Sequence, residues 1–190
     1  MKIENFNNKI QQQISLLEEE YNNRKDSWNI PRDEALFLNM LIKIKKPKII
    51  LEIGTSYGYS TLFLAEAAHE INATVITIDI NPEKTKIAKQ NITNAGLLET
   101  VEFITQDANE AIKKLKENPE FIFLDGKKTD YLTQFNILQT KIKKPCLFAA
   151  DNAIDLAKNM KEYLEFVRNQ KNLQSVLIPI GNGLELTYVK

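Results

Sequence analysis

From Pro47 onward, short apolar runs alternate with segments long enough to form crossover helices, and this rhythm constrains the fold more than any other feature. The runs are KIILEI, TVITIDI, VEFIT, FIFLD and CLFAAD. Short and rich in β-branched or aromatic residues, each predicts a buried strand. Parallel neighbours need a long crossover, and the intervening segments supply it. Asn81-Pro82 is a helix start and Gly96 a stop for the second crossover. An Asn side chain caps free amides, Pro suits the first turn, and Gly accepts a left-handed exit. The chain closes with LQSVLIPI, GNG and LELTYVK, the pattern of a β-hairpin. Five β-α units and a hairpin predict an α/β fold. Its seven-stranded sheet is mostly parallel, with one antiparallel strand and helices on both faces.

Upstream, Ile3, Phe6, Ile10, Leu17 and Tyr21 recur at helical spacing. They predict an amphipathic N-terminal helix for packing or dimerisation. A polar break, NNRKDSWN, precedes Pro31, where a second helix is expected to begin and run through EALFLNMLIKI to about Lys46. At 190 residues the chain suits one domain, with 1–27 as a helical extension and 28–190 as the core. Lys plus Arg and Asp plus Glu balance at 25 each, so no global basic field points to nucleic acid. MKIENFNNKI is too polar for a signal peptide, and no apolar run is long enough to span a bilayer. A cytoplasmic setting without a membrane partner is the expectation. The single cysteine, Cys146, lies in the apolar CLFAA and is expected to be a buried structural thiol. His69, the single histidine, reads as a solvated helix-end residue, which disfavours His-based triads and His-rich zinc sites.

In such a sheet, ligands bind beyond the carboxyl ends of the strands, near the topological switch point. The loop leaving the first strand is LEIGTSYGYS. A dinucleotide loop uses a middle glycine to admit a pyrophosphate; here that position is Ser56, and Glu52 would repel the anion. S-adenosylmethionine has no phosphate and carries a sulfonium and an ammonium, so a nearby carboxylate attracts it. Glycines such as Gly54 and Gly58 still admit a bulky ligand against the backbone. Asp79 ends the second strand, where an acid can accept both ribose hydroxyl hydrogens. Asp107 and Ala108 end the third, at an adenine edge; Asp107 is equally well placed to cap a helix.

FIFLDGKKTDY ends a strand at Asp125, and CLFAADN ends the next at Asp151-Asn152. Neighbouring strands lie about 4.8 Å apart, so acids at matching ends share one crevice and their repulsion must be offset. Two carboxylates and an amide oxygen form a hard donor set that suits magnesium. Lys128 follows Asp125 by three residues. Facing the crevice it could act as a general base; otherwise it is a solvated lysine in a basic loop with Lys127.

Taken in order, these motifs resemble those of the cation-dependent O-methyltransferases of the catechol and caffeoyl-coenzyme A class, especially small bacterial and archaeal members. The resemblance runs from about Trp28 to Lys190. LEIGTSYGYSTLFLA is similar to the first cofactor motif, and DINPEKTKIAKQNITNAG to the ribose strand and following helix. LDGKKTDY resembles the acid-x-x-lysine segment, ADN the paired metal ligands, and PIGNGLELTYVK the closing hairpin. The resemblance implies a Rossmann-like class I methyltransferase fold with S-adenosylmethionine and Mg2+, or another divalent cation, as cofactors. It implies cofactor contacts from Glu52, Gly54, Ser60, Asp79, Asp107, Ala108 and Asp125, with metal ligation by Asp125, Asp151 and Asn152. Lys128 would be the base and Asp125 its catalytic neighbour. The acceptor would be a small hydroxylated molecule, catechol-like or another vicinal diol, and the assembly a homodimer. Tyr59 and Tyr131 match family aromatic positions that packing explains equally well.

Two departures stand out. Gly126 replaces a common alanine, and Asn152 runs almost directly into AIDLAKNMKEYLEFV, an apparent amphipathic helix. A short loop there predicts an open acceptor pocket, or one completed by Trp28, Arg32 or a partner subunit. Three other functions compete. A tRNA hydroxyuridine acceptor would use KIKKPK and the lysines before Pro145, which read more simply as solvated helix ends. An NAD-linked oxidoreductase is disfavoured by Glu52 and Ser56. A non-catalytic cofactor-binding module is the third.

Overall fold

The computed structural model describes residues 3–21, 26 and 28–190. The expected N-terminal helix is α1 (Asn8–Tyr21), followed by α2 (Arg32–Lys45). Then come β1 (Ile49–Ile53), α3 (Tyr59–Glu70), β2 (Thr74–Asp79), α4 (Pro82–Asn94), β3 (Val101–Thr105), α5 (Ala108–Lys114), β4 (Phe121–Leu124) and α6 (Tyr131–Leu138). The chain ends with β5 (Cys146–Ala150), α7 (Lys161–Asn169), β6 (Leu173–Ile178) and β7 (Leu184–Val189). The seven strands form one sheet in the order β3-β2-β1-β4-β5-β7-β6, with β7 antiparallel to both neighbours. The strand order reverses between β1 and β4, which opens a crevice at their carboxyl ends.

The central strands are buried on both faces, as continuous apolar runs require. Ile50 faces the layer of α1 to α4, while Leu51 and Ile53 face α5, α6 and α7. Helix α3 lies inside the first layer: Tyr59 to Ala65, Ala67 and Ala68 are all buried. A helix covered on nearly every side has no polar stripe, and the exposed positions of α3, His69 and Glu70, fall at its end. Its outer cover includes α1, whose Ile10, Ile14 and Leu17 are buried in the same core. The apolar stripe that raised the possibility of a dimer helix is therefore used within the chain. Tyr21 ends that helix, and its side chain lies outside the described residues, as do Met1 to Lys2, Asn22 to Lys25 and Ser27.

Caps fall where the sequence put them. The Asn81 side chain accepts from the amides of Glu83 and Lys84, both at 3.0 Å, and Gly96 exits at φ 77°. Cys146 is fully buried, and burial pushes its thiol up to about 12. His69 is exposed at the end of α3. Among the described residues, no helix is long and apolar enough to cross a membrane.

One expected element is corrected. AIDLAKNMKEYLEFV is not a continuous helix: α7 begins only at Lys161, after turns from 151 to 156 and a 3-10 turn at Ala157–Met160. The physical reason lies in the closing hairpin. The amide of Ala153 donates to Gly183 O at 2.7 Å, and those of Ile154 and Asp155 donate to Asn182 O at 3.1 and 3.2 Å. Held there, the chain makes one longer turn, Leu156 N to Asn152 O at 3.0 Å, and then bonds three residues back, Ala157 N to Ile154 O at 3.4 Å and Asn159 N to Leu156 O at 2.8 Å, so no α-helical ladder runs before Lys161. The segment after Asn152 is thus a loop lying on the β6–β7 turn, and the short-loop expectation fails.

Truncating α1 tests its place in the core. Ile14→Ala should lower unfolding stability by about 2–5 kcal/mol, measured by urea denaturation; a loss below about 0.5 kcal/mol would mean the helix is not integral to the core.

Candidate active site

Parallel register builds the site. Ile53 pairs with Leu124 and Leu124 with Ala150, so the residues that follow, Gly54, Asp125 and Asp151, come level at three adjacent strand ends. Backbone bonds fix this arrangement: Asp125 N donates to Ile53 O at 2.8 Å and Asp151 N to Leu124 O at 3.0 Å. Gly54, at φ 109°, lies so close to the Asp125 carbonyl that a Cβ would overlap it. Above these residues is a cavity of about 400 Å³, walled by Gly54, Ser56, Asp79, Asp125, Lys128, Asp151, Asn152 and Trp28. Ser60 borders a small recess beside it, shared with Gly54, Tyr59 and Asp125.

Glu52 departs from the direct role its charge suggested. It is fully buried beneath the loop and accepts 2.6 Å hydrogen bonds from Ser60 Oγ, Thr61 Oγ1 and Thr77 Oγ1. Burial pushes its carboxyl up to about 7, against the pull of those three hydroxyls. Glu52 therefore pins the first turn of α3 to β2, and it does not wall the cavity. Ser56, in the dinucleotide loop's glycine position, adopts φ 47° and donates its amide to Asp79 Oδ2 at 2.7 Å. Asp79 Oδ1 accepts from Asn81 N at 2.8 Å. Asp79 thus ties the first and second strand-end loops together while facing the cavity.

Asp107 caps α5, accepting from Glu110 N at 3.1 Å, and neither it nor Ala108 walls the cavity. Tyr131 is fully buried and donates to Leu124 O at 2.7 Å; Tyr59 donates to Glu18 at 2.6 Å. Both serve packing. Trp28 is 76% exposed on the cavity rim. Arg32 is held by a two-pronged contact with Glu18 and borders a neighbouring hollow instead.

At the acidic end, Lys128 Nζ lies 2.8 Å from Asp125 Oδ1 and 3.8 Å from Asp151 Oδ2. Burial raises the Asp125 carboxyl to about 8, with Lys128 opposing and Asp151 adding to the rise. Burial likewise lifts Asp151 to about 7, and a neighbouring acid, Glu34, adds to it. Glu34 is a site residue that sequence reasoning missed. It sits on α2, fully buried, and its own carboxyl is raised to about 7, chiefly by burial. A signal was present: Glu34, Leu38 and Ile42 form one stripe at four-residue steps, so the acid extends a core-facing row.

Among the described residues, no three His, Cys, Asp or Glu side chains converge on a ligating point. The candidate set is instead two carboxylates and the Asn152 amide. Asp151 Oδ1 is buried with no donor among the described residues, and Glu34 Oε1 is the same. Asp125, Asp151 and Asn152 wall one cavity with a single lysine between the acids, and two carboxylates with an amide oxygen are a donor set that fits a hard divalent ion.

A family model described as O-methyltransferase matches residues 7–188, which brings α1 inside the match rather than leaving it outside as the motifs implied. The chain belongs to the O-methyltransferase family. Curated relatives include a zebrafish (Danio rerio) catechol O-methyltransferase B, 28% identical over 85% of this chain and 63% of that protein. A Petunia hybrida caffeoyl-CoA O-methyltransferase is 30% identical over 85% of this chain and 78% of its own length. The match thus spans 63% of the length of the first of these relatives, less than two-thirds, and 78% of the second. A Bacillus cereus O-methyltransferase in complex with SAH superposes with a TM-score of 0.81 at 22% identity, over 97% of this chain and 91% of that one. A Staphylococcus aureus structure, titled as a caffeoyl-CoA O-methyltransferase, gives 0.84 at 24% identity, covering 93% and 92%. The fold is that of class I methyltransferases.

Glu52 gives a pH test. Its carboxyl binds a proton more tightly folded than unfolded, so its contribution is full below about pH 4.5 and is lost as pH rises through about 7. Glu52→Gln cannot titrate. The stability difference between variant and parent should therefore shift toward the variant between pH 5 and 8.5, by up to about 3 kcal/mol. Urea melts at both pH values measure it; a flat difference would place an ionised Glu52 in the folded protein.

Proposed function

We propose that the protein moves a methyl group from S-adenosylmethionine to a hydroxyl of a small acceptor, catechol-like or another vicinal diol, with help from a divalent cation. The observation that carries this reading is the level alignment of Gly54, Asp125 and Asp151 at the switch point, where both acids, Asn152 and Lys128 wall one cavity. The similarity to catechol and caffeoyl-CoA O-methyltransferases, and to a Bacillus cereus O-methyltransferase that holds SAH, supports it.

Gly54 and the Ser56 turn, fixed by Asp79 and underpinned by Glu52, give the donor a wall without projecting side chains. Asp79 is the acceptor for the ribose hydroxyls, and Ser60 borders the methionine end beside Asp125. Asp107 and Ala108 stand outside that cavity at the end of β3, where only the far adenine edge of the donor would come near them. Asp125, Asp151 and Asn152 would hold the cation, which supplies a positive charge that favours the deprotonated acceptor hydroxyl. Lys128, now paired with both acids, would serve as the general base for the hydroxyl proton only once a bound cation occupied those carboxylates and the lysine had released its own proton to solvent. The acceptor oxygen then bonds to the methyl carbon as the carbon–sulfur bond breaks, leaving S-adenosylhomocysteine. Holding the two reactants in line accounts for much of the acceleration. Trp28, exposed on the rim, offers a flat face to an aromatic acceptor.

Transfer of labelled methyl to small catechols, with magnesium or with a chelator, tests the reading. Turnover should require the metal. Asp151→Ala should lower it by roughly 100-fold or more while leaving S-adenosylmethionine affinity within about threefold by calorimetry. Undiminished turnover in chelator would sink the cation assignment.

A further inference from the structure

Glu34 has no place in the chemistry above, yet it is among the most costly residues in the chain to bury. A carboxyl moved from water into a packed interior loses its hydration, and proteins keep such groups only where contacts compensate. The first turn of α2 would favour an acid through the helix dipole alone, but that benefit is available to an exposed side chain such as Asp33. Glu34 instead points inward, in the row of Leu38 and Ile42, and meets two structures at once.

The first is the turn between β6 and β7. Glu34 Oε2 accepts from the Asn182 amide at 3.2 Å. Gly181, at φ 55°, lies so close that a Cβ there would overlap Glu34 Oε2. That same turn holds the loop after Asn152. Gly183 O accepts from Ala153 N, and Asn182 O accepts from Ile154 N and Asp155 N. Gly183, at φ 88°, is packed so tightly on Ile154 that a Cβ would overlap it too. The second structure is Asp151. Glu34 is near enough to its carboxyl to add to the burial that pushes it up to about 7. Neither Glu34 Oε1 nor Asp151 Oδ1 has a donor among the described residues.

We propose that Glu34 is a positioning residue for the Asp151-Asn152 pair: it clamps the Gly181–Gly183 turn from α2, and the turn in turn sets the backbone on which both side chains stand. The clamp stands on its own geometry; its consequence for the cation rests on the function proposed above. Glu34 acts through the turn, so what matters is an acceptor oxygen at its position and not its charge.

Amide hydrogen exchange and Mn2+ affinity, measured on the full chain, separate these links. In Glu34→Ala, exchange at Ala153, Ile154 and Asn182 should accelerate about tenfold or more while the β1 and β2 amides stay protected. Mn2+ affinity should weaken about tenfold. Glu34→Gln retains an oxygen for Asn182 N and should hold both readouts within about threefold of the parent. If Glu34→Ala does not fold, Gly181→Ala crowds the same contact and should produce the same local acceleration. Unchanged exchange at the three amides overturns the clamp. A Glu34→Gln protein with protected amides but Mn2+ affinity as poor as Glu34→Ala also overturns it, because the charge would then act on the cation directly. A parent that binds no Mn2+ defeats the cation reading, and the exchange result still decides the clamp.

Discussion

Three backbone hydrogen bonds hold the centre of this molecule in register. Gly54 N donates to Ile78 O, Asp125 N to Ile53 O, and Asp151 N to Leu124 O. They bring the ends of β2, β1, β4 and β5 level, so that residues far apart in sequence share one crevice. A slip by one residue in any of these pairings would turn the strand's side chains to the opposite face and carry an acid into the core. The absence of a side chain at Gly54 is part of the same constraint, because the Asp125 carbonyl occupies the space a Cβ would need.

Around that register the protein handles buried acids in two ways. Glu52 is surrounded by hydroxyl donors and serves as an internal tie. Asp125 and Asp151 share one lysine, which leaves oxygen capacity unfilled. The first arrangement is closed, as a structural polar network should be. The second is open, as a binding site should be. The N-terminal layer adds ties of the closed kind. Gln13 on α1 donates to Asn91 on α4 at 3.0 Å, and Asn91 donates to Tyr57 O in the cofactor loop at 2.9 Å. Glu18 on α1 receives both Tyr59 and Arg32. A helix that looked like an appendage thus braces the loop after β1, to which the proposed function gives the methyl donor.

Sequence alone carried the order of elements, the cap at Asn81 and the strand-end acids, because these depend on local periodicity and on residue types at strand ends. It failed where the deciding contact was distant. The loop from Ala153 to Met160 has helical periodicity, yet amides from its first turn are bonded to a hairpin some thirty residues later. Glu52 was legible as an acid in the right loop, but its direction was not: side chains alternate along β1, and the register decides that it faces α3. Glu34 escaped notice because a charged residue in a helix's first turn ordinarily needs no explanation. Only its burial and its contact with the hairpin give it one.

Asn152 stands at φ 65°, in the left-handed region that few side chains tolerate. Asparagine is among those few, and it also brings an amide oxygen within a short reach of its own backbone. Glutamine would keep the amide and lose the conformational ease; glycine would do the reverse. Aspartate would satisfy the backbone but add a further negative charge beside two acids already buried together. The position therefore lies where a conformational requirement and, on the proposed function, a chemical one intersect, and no other common side chain meets both as well.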